Sequence, residues 1–200
     1  AAGPAFEAGR ISMGMRAAVG AIDRVAVRGG LLSCHVIGGT EPRGICGSGL
    51  VDAVAAGLET GAITSNGRLP SKQLRLCGDV RITQSDIREL QLAEGAIAAG
   101  FEILRGGASI AQIHLAGAFG NYVSMQSADR IGLLDSSSTH ITHAGNTALR
   151  GLKKLLALGP RREEVIERYR TQTLHVPLAS DPYFQEIFAD NMAFPEAVRR

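Results

Sequence analysis

The chain is poor in cysteine, and its three cysteines are odd in number and far apart. They are Cys34, Cys46 and Cys77. This spacing excludes a disulfide framework and a Cys-x-x-Cys metal site, and it does not supply the set of convergent thiolates that an iron–sulfur cluster needs. We therefore expect three small buried thiols that bind no cluster.

Long apolar runs, aromatic residues and an excess of one charge are also lacking. No apolar run approaches the roughly 18 to 20 residues of a bilayer-spanning helix, and no charged start followed by an apolar segment resembles a signal peptide. Because 21 Lys and Arg stand against 19 Asp and Glu, with few aromatics near the basic pairs, we expect neither a nucleic-acid nor a membrane partner. We expect a cytoplasmic protein.

Clustered metal ligands are missing as well. His140 and His143 are three residues apart and could meet a metal ion on a helix, but Ile141 and Thr142 between them favour a strand. No third ligand is evident, and a zinc site needs more ligands than two. We expect no metal site from these side chains.

An initiator methionine is absent, and residues 1–9 already resemble the middle of a structured motif. We therefore expect a fragment of a longer protein. Its 200 residues, 45% of them hydrophobic, are enough to bury a core in one domain or in two small lobes. We expect two subdomains: residues 1–80, a small meander plus a helix, and residues 81–200, an α/β lobe.

Short, partly β-branched runs separated by glycine pairs lie near the start of the chain and predict a small antiparallel meander over 11–15, 20–27 and 31–37. A glycine-rich turn at 44–49 then opens a helix, whose apolar residues recur at helical spacing until Gly61.

Such a glycine turn directs unpaired backbone N–H groups and the positive end of the helix dipole at one spot, where a phosphate is favoured. The pattern matches neither the Walker motif nor Gly-x-Gly-x-x-Gly, and Ser48 could equally be only the N-cap of the helix. The candidate anion-binding residues are Gly44, Gly47, Ser48 and Gly49.

A second glycine-rich turn ends the apolar run at 112–115, which predicts a buried central strand. Before it, Thr83 caps a long helix with Asp86 in the capping-box position, and we expect this helix to pack along a sheet. Small residues after the strand let a ligand or a second backbone approach closely, or they merely turn the chain. The candidate binding residues are Gly117, Ala118, Phe119, Gly120 and Asn121.

Further strand–turn–helix units occupy the rest of the chain. The predicted elements are one short strand within 62–78, a helix over 125–131 capped by Ser124, a strand at 141–143, helices beginning at Gly145-Asn146 and at Pro160, a strand at 174–176 and a helix from Asp181 to Met192. Such units predict an α/β fold with a mixed sheet flanked by helices.

Four long motifs occur in order, at 3–7, 44–52, 82–91 and 115–122. Together they closely resemble the C-terminal region of the reductive activators of corrinoid proteins, and residues 181–186 resemble the closing segment of that family. The resemblance covers essentially the whole chain. Four motifs in sequence are far more specific than a single glycine turn.

The resemblance implies an actin-like (ribonuclease H-like) ATPase domain of the acetate and sugar kinase, heat-shock protein 70 and actin superfamily, whose two lobes close on ATP with Mg²⁺. Family members reduce Co(II) to Co(I) in a corrinoid methyl-carrier protein, using an electron from an N-terminal 2Fe-2S domain. By analogy, the 117–121 turn lies on the adenosine side, within a nucleotide-side lobe, and the 44–49 turn is a phosphate-side or lobe-connecting loop. We also expect a homodimer.

The family's 2Fe-2S domain and its Asp-x-Gly-Thr phosphate loops do not occur in these residues, so we expect the fragment alone to be inactive and the parent protein to be active. Two other interpretations stay open. A small-molecule kinase of the same superfamily would need a carboxylate base, and neither glycine turn contains an acidic residue. A non-catalytic module for docking a corrinoid protein or for dimerisation would leave both turns structural.

Overall fold

The computed structural model describes residues 3–134 and 140–196 and has an α/β architecture, in which small sheets are flanked by helices. The strands are β1 (Ala21–Arg28), β2 (Leu31–Val36), β3 (Gly44–Ile45), β4 (Gln73–Arg75), β5 (Arg81–Thr83), β6 (Gln112–Ala116) and β7 (His140–Gly145). The helices are α1 (Gly47–Glu59), α2 (Gln84–Arg105), α3 (Gly117–Tyr122), α4 (Met125–Ile131), α5 (Thr147–Ala157), α6 (Arg162–Gln172) and α7 (Phe184–Asp190). The predicted fold class is confirmed. None of the described helices is both long and apolar enough to cross a bilayer.

The first sheet has the strand order β2, β1, β3, with β2 antiparallel and β3 parallel to β1. The β1–β2 hairpin confirms two strands of the predicted meander. The predicted strand at 11–15 is wrong, because the Gly14 N–H is used in a turn to the Ile11 carbonyl (2.9 Å). That segment contributes an isolated parallel bridge between Gly14 and Ile45 instead.

Helix α1 lies in the main hydrophobic core. Its residues from Gly47 to Gly57 are all buried, as expected for a helix that is apolar nearly all round. It packs against β1 and α4. The helix ends at Glu59, Thr60 is its C-cap, and Gly61 follows with a φ of +72°, which confirms the predicted stop.

A buried carboxylate fastens the start of α2. The Thr83 hydroxyl accepts from the Asp86 N–H (3.4 Å), and the Asp86 carboxylate accepts from the Thr83 N–H (2.7 Å), which confirms the predicted capping box. The same carboxylate accepts from the N–H and the hydroxyl of Ser12, both at 2.7 Å. Asp86 therefore ties the N-terminal segment to a helix 74 residues later. The division into residues 1–80 and 81–200, which this link crosses, stays a prediction.

The surroundings of α2 and β6 differ from the prediction. Helix α2 packs mainly against α7 rather than along a sheet, and its apolar stripe is buried at Leu90 but 63% exposed at Leu104. Residues 112–116 form a strand, as predicted, but it is neither buried nor central. In the described ranges β6 pairs with β7 alone, and α3 is the main helix that packs on this pair, so much of it stays exposed.

Most of the remaining elements follow the prediction. The Ser124 hydroxyl and the Asn146 side chain each accept a hydrogen bond from a first-turn N–H, of α4 (3.3 Å) and α5 (2.9 Å) respectively. Strand β4 lies in the predicted 62–78 loop, and Pro160 lies in a short turn that leads into α6.

Two C-terminal predictions need correction. Residues 174–176 form no strand: within 3–134 and 140–196 they have no partner strand, and Leu174 is 86% exposed. The last helix is shorter than predicted, because residues 181–183 form a turn in which the Asp181 carboxylate accepts from the Tyr183 N–H (2.9 Å).

Cys34 and Cys77 form a disulfide, with their Cα atoms 6.3 Å apart. The prediction of three free thiols is therefore wrong for these two residues and confirmed for Cys46, which is a buried thiol. The spacing of Cys34 and Cys77 along the sequence does not show that they are close in space. The two cysteines meet because β2 and the loop after β4 lie side by side in the folded chain.

Candidate functional site

The glycine-rich segment after β6 is a short helix rather than an open turn. Gly117 is the first residue of α3 and has a φ of +87°, which favours glycine. A Cβ at this position would meet no described protein atom within 4 Å, so the space beside it is open. Gly120, three residues on, is buried against Leu115.

The glycine-rich segment at 44–49 also runs straight into a helix. A Cβ at Gly47 would lie 1.8 Å from the carbonyl oxygen of Phe6, so this position admits no side chain. The N-cap residue is Cys46, and within the described ranges no side chain caps α1. The interpretation of Ser48 as the N-cap is therefore wrong; its hydroxyl donates to the carbonyl oxygen of Asp23 (3.0 Å).

Both glycine-rich segments line the same cavity, which has a volume of about 730 Å³. Its walls also include the N-terminal segment and the loop before β1. The lining residues are Pro4, Phe6, Glu7, Ala8, Gly9, Gly14, Met15, Arg16, Ala17, Cys46, Gly47, Ser48, Ala118, Phe119 and Tyr122. The size is within the range of small-molecule and cofactor sites.

The cavity offers different chemistry on different walls. The first turn of α1 presents backbone N–H groups that have no intrahelical partner, together with the positive end of the helix dipole. Phe119 and Phe6 form an aromatic wall, with ring centroids 4.9 Å apart. Glu7 and Arg16 add one carboxylate and one guanidinium. An anionic group beside a flat apolar group fits this arrangement, and a nucleotide has both.

Four of the nine candidate residues line the cavity: Gly47, Ser48, Ala118 and Phe119. The other five do not. Gly44 packs against the carbonyl oxygen of Met13, and Gly49 packs against that of Ile22. Gly117 and Gly120 shape the start and middle of α3, and Asn121 is exposed. Binding by these nine residues stays a prediction.

The candidate residues did not include Phe6, Glu7 and Arg16, which supply part of the aromatic wall and the two charged groups of the cavity. Phe6 and Glu7 belong to the motif at 3–7, so the motif itself was the signal that could have found them. Arg16 follows an apolar segment and carries no recognisable pattern.

Besides Asp86, two buried carboxyl groups lie outside this cavity, Asp52 and Glu94. Burial raises the pKa of Asp52, although Ser127, the Val25 N–H and Arg24 act in the opposite direction. Burial alone raises the pKa of Glu94 to about 8, and in the described structure one of its carboxyl oxygens has no hydrogen-bond partner. Glu94 is therefore largely protonated at neutral pH.

The histidine pair considered for metal binding lies on β7. Nδ1 of His143 lies 2.6 Å from the carbonyl oxygen of Gly120, so this ring nitrogen forms a hydrogen bond with the backbone of α3. Among the described residues, no three His, Cys, Asp or Glu side chains converge in a way that could hold a metal ion.

The sequence model of the C-terminal domain of RACo, the ASKHA domain, matches residues 1–200. The corrinoid activation enzyme RamQ of Eubacterium limosum is 34% identical over 232 aligned residues, which cover 99% of this chain and 39% of that protein. The Co(II) methylated amine-specific corrinoid protein reductase of Methanosarcina barkeri is 29% identical over 222 aligned residues, covering 97% and 41%.

A solved structure agrees with these matches. The reductive activator for corrinoid, iron-sulfur protein superimposes with a TM-score of 0.81 at 29% identity, over 96% of this chain and 35% of that one. The chain thus spans about two fifths of the length of its curated relatives. The family model matches all 200 residues, and one relative is more than 30% identical, so these matches establish the family of the chain. The chain belongs to the family of RACo C-terminal ASKHA domains.

Proposed function

We propose that the chain is the C-terminal ATPase-domain portion of an ATP-dependent reductive activator, which reduces Co(II) to Co(I) in a corrinoid methyl-carrier protein. The observation that carries the proposal is the cavity of about 730 Å³ in which two distant glycine-rich segments meet. The names of the relatives, a corrinoid activation enzyme and a Co(II) corrinoid protein reductase, support the substrate class.

The residues of the cavity suit ATP with Mg²⁺. Gly47 and Ser48 would receive the phosphates, because both residues line the cavity and the first turn of α1 favours an anion. Ala118 and Phe119 would face the nucleoside, with Phe6 supporting the aromatic wall. When bound, ATP supplies the free energy of hydrolysis that helps an unfavourable electron transfer. The chain's own part is to bind and orient the nucleotide.

The electron itself would come from a 2Fe-2S cluster held outside residues 1–200. Cys34 and Cys77 are joined to each other and Cys46 is buried, so this chain does not offer the convergent thiolates of such a cluster. A corrinoid protein as partner, a homodimeric assembly and a cytoplasmic location belong to the same proposal.

Gly117→Val tests the nucleotide site. We expect it to weaken the binding of Mg-ATP by about tenfold or more, which corresponds to about 1.4 kcal/mol. Gly117 does not line the cavity, but a β-branched residue at its φ of +87° would strain the start of α3 and displace Ala118 and Phe119, which do line it. Calorimetric titration of the natural full-length protein measures the change.

Gly30→Val is a matched control. Gly30 has a φ of +79°, also has open space around a Cβ, and lies in the β1–β2 turn away from the cavity lining. It should cost a similar amount of stability and leave ATP affinity unchanged. Equal ATP affinity in Gly117→Val and the wild type would show that the turn is only scaffold.

An assay of corrinoid reduction with and without ATP also distinguishes the proposed function from a docking module and from a small-molecule kinase. A non-catalytic docking or dimerisation module would bind the corrinoid protein without ATP, whereas a small-molecule kinase would consume ATP without reducing Co(II). Anaerobic reduction of a corrinoid protein, followed by its absorbance with and without ATP, distinguishes these outcomes from the proposed one.

A further inference from the structure

Helix α3 carries Ala118 and Phe119 into the cavity wall, and it is anchored at two points. At one, the Phe119 ring lies on the ring of Phe6. At the other, Nδ1 of His143 in β7 lies 2.6 Å from the carbonyl oxygen of Gly120. A helix of one and a half turns cannot satisfy its last carbonyl groups internally. The imidazole therefore supplies a hydrogen bond that α3 cannot make for itself.

The direction of this hydrogen bond follows from its partners. A carbonyl oxygen only accepts, so Nδ1 of His143 carries the proton and donates it to Gly120. The neutral ring then leaves Nε2 as an acceptor.

The position of the ring is set by strand register rather than by a loop. Strands β6 and β7 are parallel, and His143 pairs with Leu115, two residues before Gly117. The neighbouring pair is His114 with Thr142, whose side chains make a hydrogen bond of 2.7 Å. Because side chains alternate along a strand, Thr142 and His143 point to opposite faces of the sheet. Leu115 and His143 therefore share the face on which α3 lies, and His143 supplies the polar contact to α3.

The geometry points to His143 as a positioning residue of the nucleotide site, whose existence rests on the function proposed above. The residue does not line the cavity, so it acts through α3 rather than by touching a ligand. By holding the Gly120 carbonyl against β7, the ring keeps Ala118 and Phe119 in the cavity wall. Loss of the ring would let α3 move away from the aromatic wall.

His143→Ala in the natural full-length protein should weaken Mg-ATP binding by about two- to twelvefold, the range for one net hydrogen bond. His143→Asn should restore the affinity, because the side-chain amide N–H can replace Nδ1–H. His114→Ala is the matched control, since it removes a side-chain hydrogen bond of similar length from the opposite face of the same strand pair. It should leave the affinity unchanged.

Hydrogen exchange provides a readout that does not depend on ATP. The amides of residues 118–123 should lose protection in His143→Ala, regain it in His143→Asn and keep it in His114→Ala. If the wild type binds ATP and His143→Ala binds it equally well, this inference is overturned while the proposed function stands. If the wild type does not bind ATP, the proposed function fails, and the positioning role fails with it.

Discussion

Glu94→Gln should be more stable than the wild type at pH 8 and about equally stable at pH 5. The carboxyl group is 2% exposed, and its folded-state pKa is about 8 against an ordinary value of 4.5. Between these two values the unfolded chain loses the proton and the folded chain keeps it. The native state therefore binds more protons, and wild-type stability falls as the pH rises from about 4.5 to about 8.

The size of this stability difference follows from the shift in the pKa of Glu94. Each pKa unit corresponds to about 1.4 kcal/mol, so the full difference amounts to as much as about 5 kcal/mol. Glutamine has the shape of the protonated carboxyl group and does not ionise, so this part of the pH dependence should disappear. Urea unfolding at several pH values measures it.

Glu102→Gln serves as a control on the same helix. Its carboxylate is exposed and paired with Arg105, and the variant retains Glu94, so it should keep the wild-type dependence on pH. An unchanged pH slope in Glu94→Gln would show that the buried carboxyl group is solvated or ionised in the native state.

Cys34→Ser should destabilise the protein by about 4 kcal/mol, the loop-closure contribution for the residues that the disulfide encloses. The disulfide restricts the conformations of the unfolded chain. Its removal therefore lowers stability mainly by raising the entropy of the unfolded state. Cys77→Ser and the double variant should show the same loss, because each removes the same bond.

Reductant gives an independent control. It should lower the unfolding midpoint of the wild type to that of Cys34→Ser and leave the variant unaffected. Thiol titration of the denatured wild type should detect one thiol, Cys46, before reduction and two more afterwards. Three reactive thiols without reductant would contradict the disulfide.

Local features were predictable from the sequence because their causes lie within a few residues. The Thr83–Asp86 capping box and the caps at Ser124 and Asn146 each join groups three residues apart. The stop of α1 depends on one glycine. Side-chain chemistry and spacing alone determine such contacts.

Features that depend on distant residues were not predictable. The exposure of β6 depends on which strands pair with it, and the Cys34–Cys77 bond joins residues separated by 43 positions. The cavity itself was inaccessible to local patterns: the two glycine segments were recognised separately, while their meeting and the part played by Glu7 depend on the folded chain. The family resemblance restricted the range of possible functions more than any local sequence pattern did.

The hydrogen bonds of the Asp86 carboxylate determine which parts of the molecule open together. Residues 3–15 supply much of the cavity wall, and Ser12 joins them to Asp86 through two short hydrogen bonds. Because the same carboxylate also caps α2, the wall cannot detach without exposing the start of that helix. The cavity wall and the first turn of α2 should therefore exchange their amide protons as one cooperative unit, at one rate and with one free energy of opening.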